Sequence, residues 1–146
     1  MSMETPDVYG QHESYDGIRD DFSQSNDRVQ QHLKNRIFTI SGYLSKINLN
    51  SPSILEVGCR FGVISKELFK YGRVTGMDLS PKGIEIAHKF NLELSFFHSD
   101  VLNYDFGDKK YDIVVNTEVI EHIPVESRER SGDSKTHANA GNILKR

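Results

Sequence analysis

Apolar residues recur at spacings of three and four from Val29 through Leu33, Ile37, Ile40 and Leu44 to Ile47, the period that turns one stripe of a helix toward a core. The pattern predicts an amphipathic helix that covers the edge or face of a sheet or else takes a direct part in substrate binding, with Asp27 as its cap and Gln30 three residues on. From Ser53 to Asn116 short apolar runs alternate with helix-length segments, the rhythm of parallel strands joined by crossover helices. The predicted strands are Ile54–Val57, Val74–Met77, Leu94–Phe97 and Tyr111–Val115. A helix is expected from about Gly62 to Tyr71, with Ile64 and Leu68 on one face and Gly72 as a left-handed cap. Ser80 stands at an N-cap with Pro81 at the first helical position, so a second crossover helix should run to about Phe90. The fold class is α/β.

The two ends read differently. Residues 1–24 carry Glu4, Asp7, Glu13, Asp16, Asp20 and Asp21 against Arg19, which predicts a loose acidic arm. Residues 25–124 form the predicted domain, and 125–146, without an aromatic residue, are expected to be a disordered tail. Lys and Arg number 18 against 21 Asp and Glu, a net charge of −3, so no basic field is available for nucleic acid. Cys59 is the single cysteine, which rules out an internal disulfide and a thiolate-built zinc site. No apolar run nears the roughly 20 residues that span a bilayer, and a cytoplasmic location without membrane partners is the expectation.

Ligands of an open parallel sheet gather beyond the carboxyl ends of its strands. After the first predicted strand, Gly58 and Gly62 permit a tight turn and close approach of backbone N–H groups to a ligand, or simply a tight connection into the next helix. Asp78 ends the second strand twenty residues after Gly58, where a carboxylate accepts from a ribose diol; turn chemistry before Ser80-Pro81 is the plainer reading. After the third strand, Asp100 can accept from an exocyclic amine such as that of adenine, and Val101 can pack on the ring, or Asp100 is a surface residue. Asn116 either holds the polar end of a ligand or merely ends the fourth strand.

These runs, Ile54-Leu55-Glu56-Val57-Gly58-Cys59-Arg60-Phe61-Gly62, Val74 to Pro81, His98-Ser99-Asp100-Val101 and Tyr111 to Pro124, resemble in order the motifs of the class I S-adenosylmethionine-dependent methyltransferases. The resemblance implies a Rossmann-like parallel sheet of four strands in the order 3-2-1-4, with S-adenosylmethionine as cofactor. It implies that the loop from Gly58 through Cys59 to Gly62 passes under the methionine part, that Glu56 fixes this loop and the amino group, and that Asp78, with Leu79 beside it, holds the ribose. Asp100 and Val101 would take the adenine, and Asn116 would line the mouth. Arg60 stands where the family usually has a second glycine. Family members also continue after the fourth strand with the elements that complete the substrate pocket, so the expected fold is an incomplete one.

The implied activity is methyl transfer to an acceptor of unknown class, with no catalytic residue assigned. The alternative is a truncated, non-catalytic relative acting as a cofactor-binding or partner subunit, its Ile113-Val114-Val115 edge open to a partner chain or to self-association. A nicotinamide enzyme fits less well, because Gly58 and Gly62 do not give the Gly-x-Gly-x-x-Gly turn. Glu118, Glu121 and His122 would share one side of a helix and suit a divalent ion or serve as pocket wall; no metal is assigned. His122 is the candidate base for a hydroxyl acceptor. The other histidines read as surface or satisfied residues, and Cys59 as a packed side chain.

Overall fold

The computed structural model describes residues 27–117 and Val119 of the 146-residue chain. The expected arm, the expected tail, and Glu118, Glu121 and His122 lie outside the described residues.

The helix predicted from the apolar stripe is α1, Asp27–Leu44; the Asp27 side chain is outside the description, and so is its expected cap. Leu33, Ile37 and Ile40 are partly buried, and Leu44 is buried in the core. The stripe was expected to run on to Ile47, but the helix stops at Leu44 and Ile47 is exposed. The Ser45 hydroxyl takes the Gly42 carbonyl at 3.2 Å, one of the local bonds by which serine competes with helix continuation.

The strands are β1 (Ser53–Val57), β2 (Arg73–Asp78), β3 (Ser95–His98) and β4 (Ile113–Asn116). They form one parallel sheet in the order β3-β2-β1-β4, as the motif order implied. β1 is central and buried on both sides: Ile54 and Glu56 face one way, Leu55 and Val57 the other. Helices α2 (Val63–Leu68) and α3 (Pro81–Phe90) cover the first face together with α1, through Ile64, Leu68, Ile84 and Ala87. On the opposite face Leu55, Val57, Met77 and Tyr111 pack under Phe97, Tyr104 and Phe106. These rings meet edge-on or tilted, Phe97 and Tyr104 at 5.0 Å and Tyr104 and Phe106 at 4.6 Å.

Two expected boundaries are corrected. The helix expected to reach Tyr71 ends at Leu68, after which Lys70 and Tyr71 make tighter bonds back to Glu67 and Leu68. Gly72 is not its left-handed cap, since the positive-φ glycines among the described residues are Gly58, Gly62 and Gly107. Gly72 is instead a close approach: a Cβ there would lie 2.1 Å from the Pro52 carbonyl oxygen, which accepts from the Arg73 N–H at 2.8 Å. β4 begins two residues later than expected. Its entry is set by Asp112, whose carboxylate accepts from both the backbone N–H and the hydroxyl of Ser53 at 2.7 Å.

Candidate functional site

The carboxyl end of the sheet is tied together by backbone groups. Leaving β1, Gly58 turns to φ 79°, and the N–H groups of Gly58 and Cys59 both donate to the Met77 carbonyl, at 2.8 and 3.1 Å. Gly58 is also a close approach: a Cβ would meet Val119 Cγ2 at 2.4 Å. Arg60 adopts φ 47°, a left-handed conformation that costs a side-chain-bearing residue roughly 1–2 kcal/mol. Its N–H donates to Asp78 Oδ2 at 2.7 Å, a charge-assisted bond that offsets the strain. Gly62, at φ 75°, caps α2. The Arg60 guanidinium lies over the Phe61 ring, 4.8 Å from its centroid.

Asp78 is therefore a keystone of the bend. Oδ2 takes Arg60 and Oδ1 takes the Ser80 N–H at 2.8 Å, so each oxygen keeps acceptor capacity for another donor. The carbonyl of Asp78 receives the Ser99 N–H at 2.9 Å, and His98 Nε2 donates to the Leu79 carbonyl at 2.9 Å, which holds the ends of β2 and β3 together. Asp100 sits just beyond: its carboxylate accepts from the Leu102 N–H at 2.9 Å and the Asn103 amide at 2.6 Å. It organises a turn, and again neither oxygen is saturated. Val101 is partly buried against the aromatic side of the core. Asn116 is exposed at the end of β4, in register with Val57.

Glu56 lies beneath the bend, 1% exposed, and accepts from the Ser65 hydroxyl of α2. Burial pushes its carboxyl up to about 7, against the lowering effect of Ser65, and the nearby Asp78 charge adds to the rise. Burial likewise pushes the Cys59 thiol up, with Glu56 and Asp78 adding to it, so Cys59 is a packed neutral side chain.

Glu56, Gly58, Cys59, Gly62 and Asp78 thus share one bonded unit, with Leu79 and the Asp100–Val101 turn attached along β3 and Asn116 one strand away on the other side. The spare acceptors on Asp78 and Asp100 suit a neutral diol and an amine, which donate. No group of three or more potential metal ligands occurs among the described residues, nor does any helix long and apolar enough to cross a membrane. The sequence reading missed Ser65 and Val119. A serine beside Ile64 on the buried face of α2 was the available sign of a buried partner; nothing local marks Val119.

A family model described as a methyltransferase domain matches residues 54–134. The ubiquinone biosynthesis O-methyltransferase of Coxiella burnetii is 31% identical over 88 residues, a match covering 57% of this chain and 38% of that protein. The chain thus spans well under half the length of that curated relative. Among solved structures, the magnesium protoporphyrin IX methyltransferase of Synechocystis, with S-adenosylmethionine bound, superposes with TM-score 0.74 at 19% identity over 100% of this chain and 76% of its own. The N-methyltransferase NodS of Bradyrhizobium japonicum, in complex with S-adenosyl-L-homocysteine, does so with TM-score 0.71 at 20% identity, over 94% and 68%. At these identities the likeness speaks for the fold.

Proposed function

The chain belongs to the class I S-adenosylmethionine-dependent methyltransferases, and we propose that it binds S-adenosylmethionine across the ends of β1, β2 and β3 and directs its methyl group to a hydroxyl-bearing acceptor. The observation that supports this reading is the bond from the Arg60 N–H to Asp78 at 2.7 Å, which ties the glycine bend to the carboxylate. Bound S-adenosylmethionine supplies an electrophilic methyl group on a sulfonium. The residues of the chain have positioning to do, because in-line displacement needs mainly alignment and exclusion of water.

In this reading Asp78 accepts from the ribose hydroxyls through its remaining lone pairs, and Asp100 accepts from the adenine amine. Leu79 and Val101 give the ring apolar contact, and Asn116 lines the mouth. Glu56 acts through the bend: its bond to Ser65 anchors α2 beneath Gly58 and Gly62. The Phe61-stacked guanidinium supports a cleft that tolerates Arg60 in place of a glycine. The O-methyltransferase relative favours an oxygen acceptor. The proposed compartment is the cytoplasm, which would keep the Cys59 thiol reduced.

Titration calorimetry with S-adenosylhomocysteine, followed by transfer of labelled methyl to candidate phenols, tests the proposal. Saturable heat that is lost in Asp78→Ala is the expected result. Absence of heat, or an Asp78→Ala variant that binds as well as the parent, would overturn it.

A further inference from the structure

We propose that Asn91 is a positioning residue for the methionine part of the cofactor, fixing from beneath the Phe61–Gly62 peptide of the bend; this depends on the methyltransferase reading above. Asn91 is the C-cap of α3, at φ −138° and ψ 67°, and is 3% exposed. Its backbone N–H and its side-chain Nδ2 both donate to the Ala87 carbonyl, at 3.0 and 3.1 Å, and its carbonyl accepts from the Leu94 N–H at 3.1 Å. A side chain that only closed the helix would need nothing more. The same Nδ2 also reaches the Phe61 carbonyl oxygen at 3.5 Å, 30 residues back in the chain.

The Phe61–Gly62 peptide is thereby held on both sides. Its N–H, that of Gly62, donates to the Cys59 carbonyl at 2.8 Å and closes the turn; its carbonyl, that of Phe61, faces Asn91. Gly62 has to lack a side chain for this approach: a Cβ there would stand 2.9 Å from Asn91 Nδ2 and 2.7 Å from Phe96 Cζ. The bend therefore has two braces, Asp78 taking the Arg60 N–H at 2.7 Å and Asn91 reaching the carbonyl of the following residue.

The two braces serve different parts of the ligand. In the methyltransferase reading Asp78 and Asp100 address ribose and adenine, whereas the bend that ends at Phe61–Gly62 passes under the methionine part. Asn91 is buried behind Gly62, so it acts through the peptide it orients. An asparagine suits the place because its amide nitrogen carries two protons for two carbonyls. Without that donor the Phe61 carbonyl must find another partner, and the peptide is free to turn. The 3.5 Å reach is long for an N–H···O bond, and it is expected to close when a ligand loads the bend, as contacts of an unliganded site do.

The test compares S-adenosylhomocysteine with 5′-methylthioadenosine, which keeps the adenosine and the sulfur but lacks the amino-acid end, by titration calorimetry on the full chain. Asn91→Ala is expected to bind S-adenosylhomocysteine about tenfold more weakly and 5′-methylthioadenosine as well as the parent does. Asn91→Asp, close in size but with an acceptor in place of the amide donor, should lose as much. Leu44→Ala, a core truncation at the last residue of α1, should lower the melting temperature and change neither affinity. Where an Asn91 variant does not fold, ¹H–¹⁵N spectra of the parent take its place: S-adenosylhomocysteine should shift the Asn91 side-chain amide and the Gly62 N–H, and 5′-methylthioadenosine should leave both in place. Equal loss for the two ligands, full S-adenosylhomocysteine affinity in either Asn91 variant, or an Asn91 amide that S-adenosylhomocysteine does not move would overturn the inference while leaving cofactor binding intact. Failure of the parent to bind S-adenosylhomocysteine would instead sink the methyltransferase reading, and this inference with it.

Discussion

Gly58 carries two constraints at once, a left-handed φ of 79° and a Val119 methyl 2.4 Å from where a Cβ would stand. Gly58→Ala should therefore destabilise the fold by about 1–3 kcal/mol, read as a lower midpoint in urea; an unchanged midpoint would mean that the bend is not held as described. Glu56 gives the second residue-scale prediction. Its folded value of about 7 stands above the ordinary 4.5, so the folded state holds a proton that the unfolded chain has released. That contribution, roughly 3 kcal/mol, is fully present below pH 4.5 and is lost as pH rises through about 7. In Glu56→Gln the decline should vanish. Urea melts of the two proteins from pH 4.5 to 8 should converge at the acid end and separate in favour of the variant at the alkaline end, and parallel curves would contradict the burial of an ionisable Glu56. At this scale the spacing of glycines and aspartates was legible in the sequence because strand ends fix which residues meet. Ser65, the partner of Glu56, was not, because a buried acid announces its partner only once the helix has been laid over it.

Among the elements, α3 has the start that its local chemistry predicts. α3 begins at Pro81 because the Ser80 hydroxyl accepts from the Gly83 N–H at 3.0 Å and proline needs no donor there. Ser80→Ala should cost about 1 kcal/mol, seen as a lower melting temperature, whereas Ser80→Asp, which keeps an acceptor at the cap, should melt close to the parent. Loss of equal size in both would indicate a packing role for Ser80 rather than capping. Limits set by distant contacts were misread. α2 ends early and Gly72 needs no left-handed turn because the entry to β2 crosses Pro52, twenty residues back in the chain. The start of β4 likewise depends on the bonds of Asp112 to Ser53, which no local period reveals.

Across the whole molecule, strand order was legible only through the ordered motifs, since periodicity says nothing of which strand lies beside which. No element is predicted between the third and fourth strands, yet Tyr104 and Phe106 there, with Phe97 of β3, roof one face of the sheet. Aromatic residues without a helical or alternating period carry little signal until the sheet beneath them is known. The proposed cofactor site sits where the three strands β1, β2 and β3 end, so a ligand there binds only the folded sheet and must stabilise it as a whole. At a hundredfold excess over Kd, S-adenosylhomocysteine should add about 2.7 kcal/mol and raise the melting temperature by about 5–10 °C. Asp78→Ala frees the N–H groups of Arg60 and Ser80 as well as removing a ribose acceptor. It should lower the melting temperature of the unliganded protein and show no ligand-dependent rise at the same concentration. A wild-type protein whose melting temperature ignores S-adenosylhomocysteine would refute the site, whereas a rise that persists in Asp78→Ala would place binding elsewhere than on the bend that Asp78 holds.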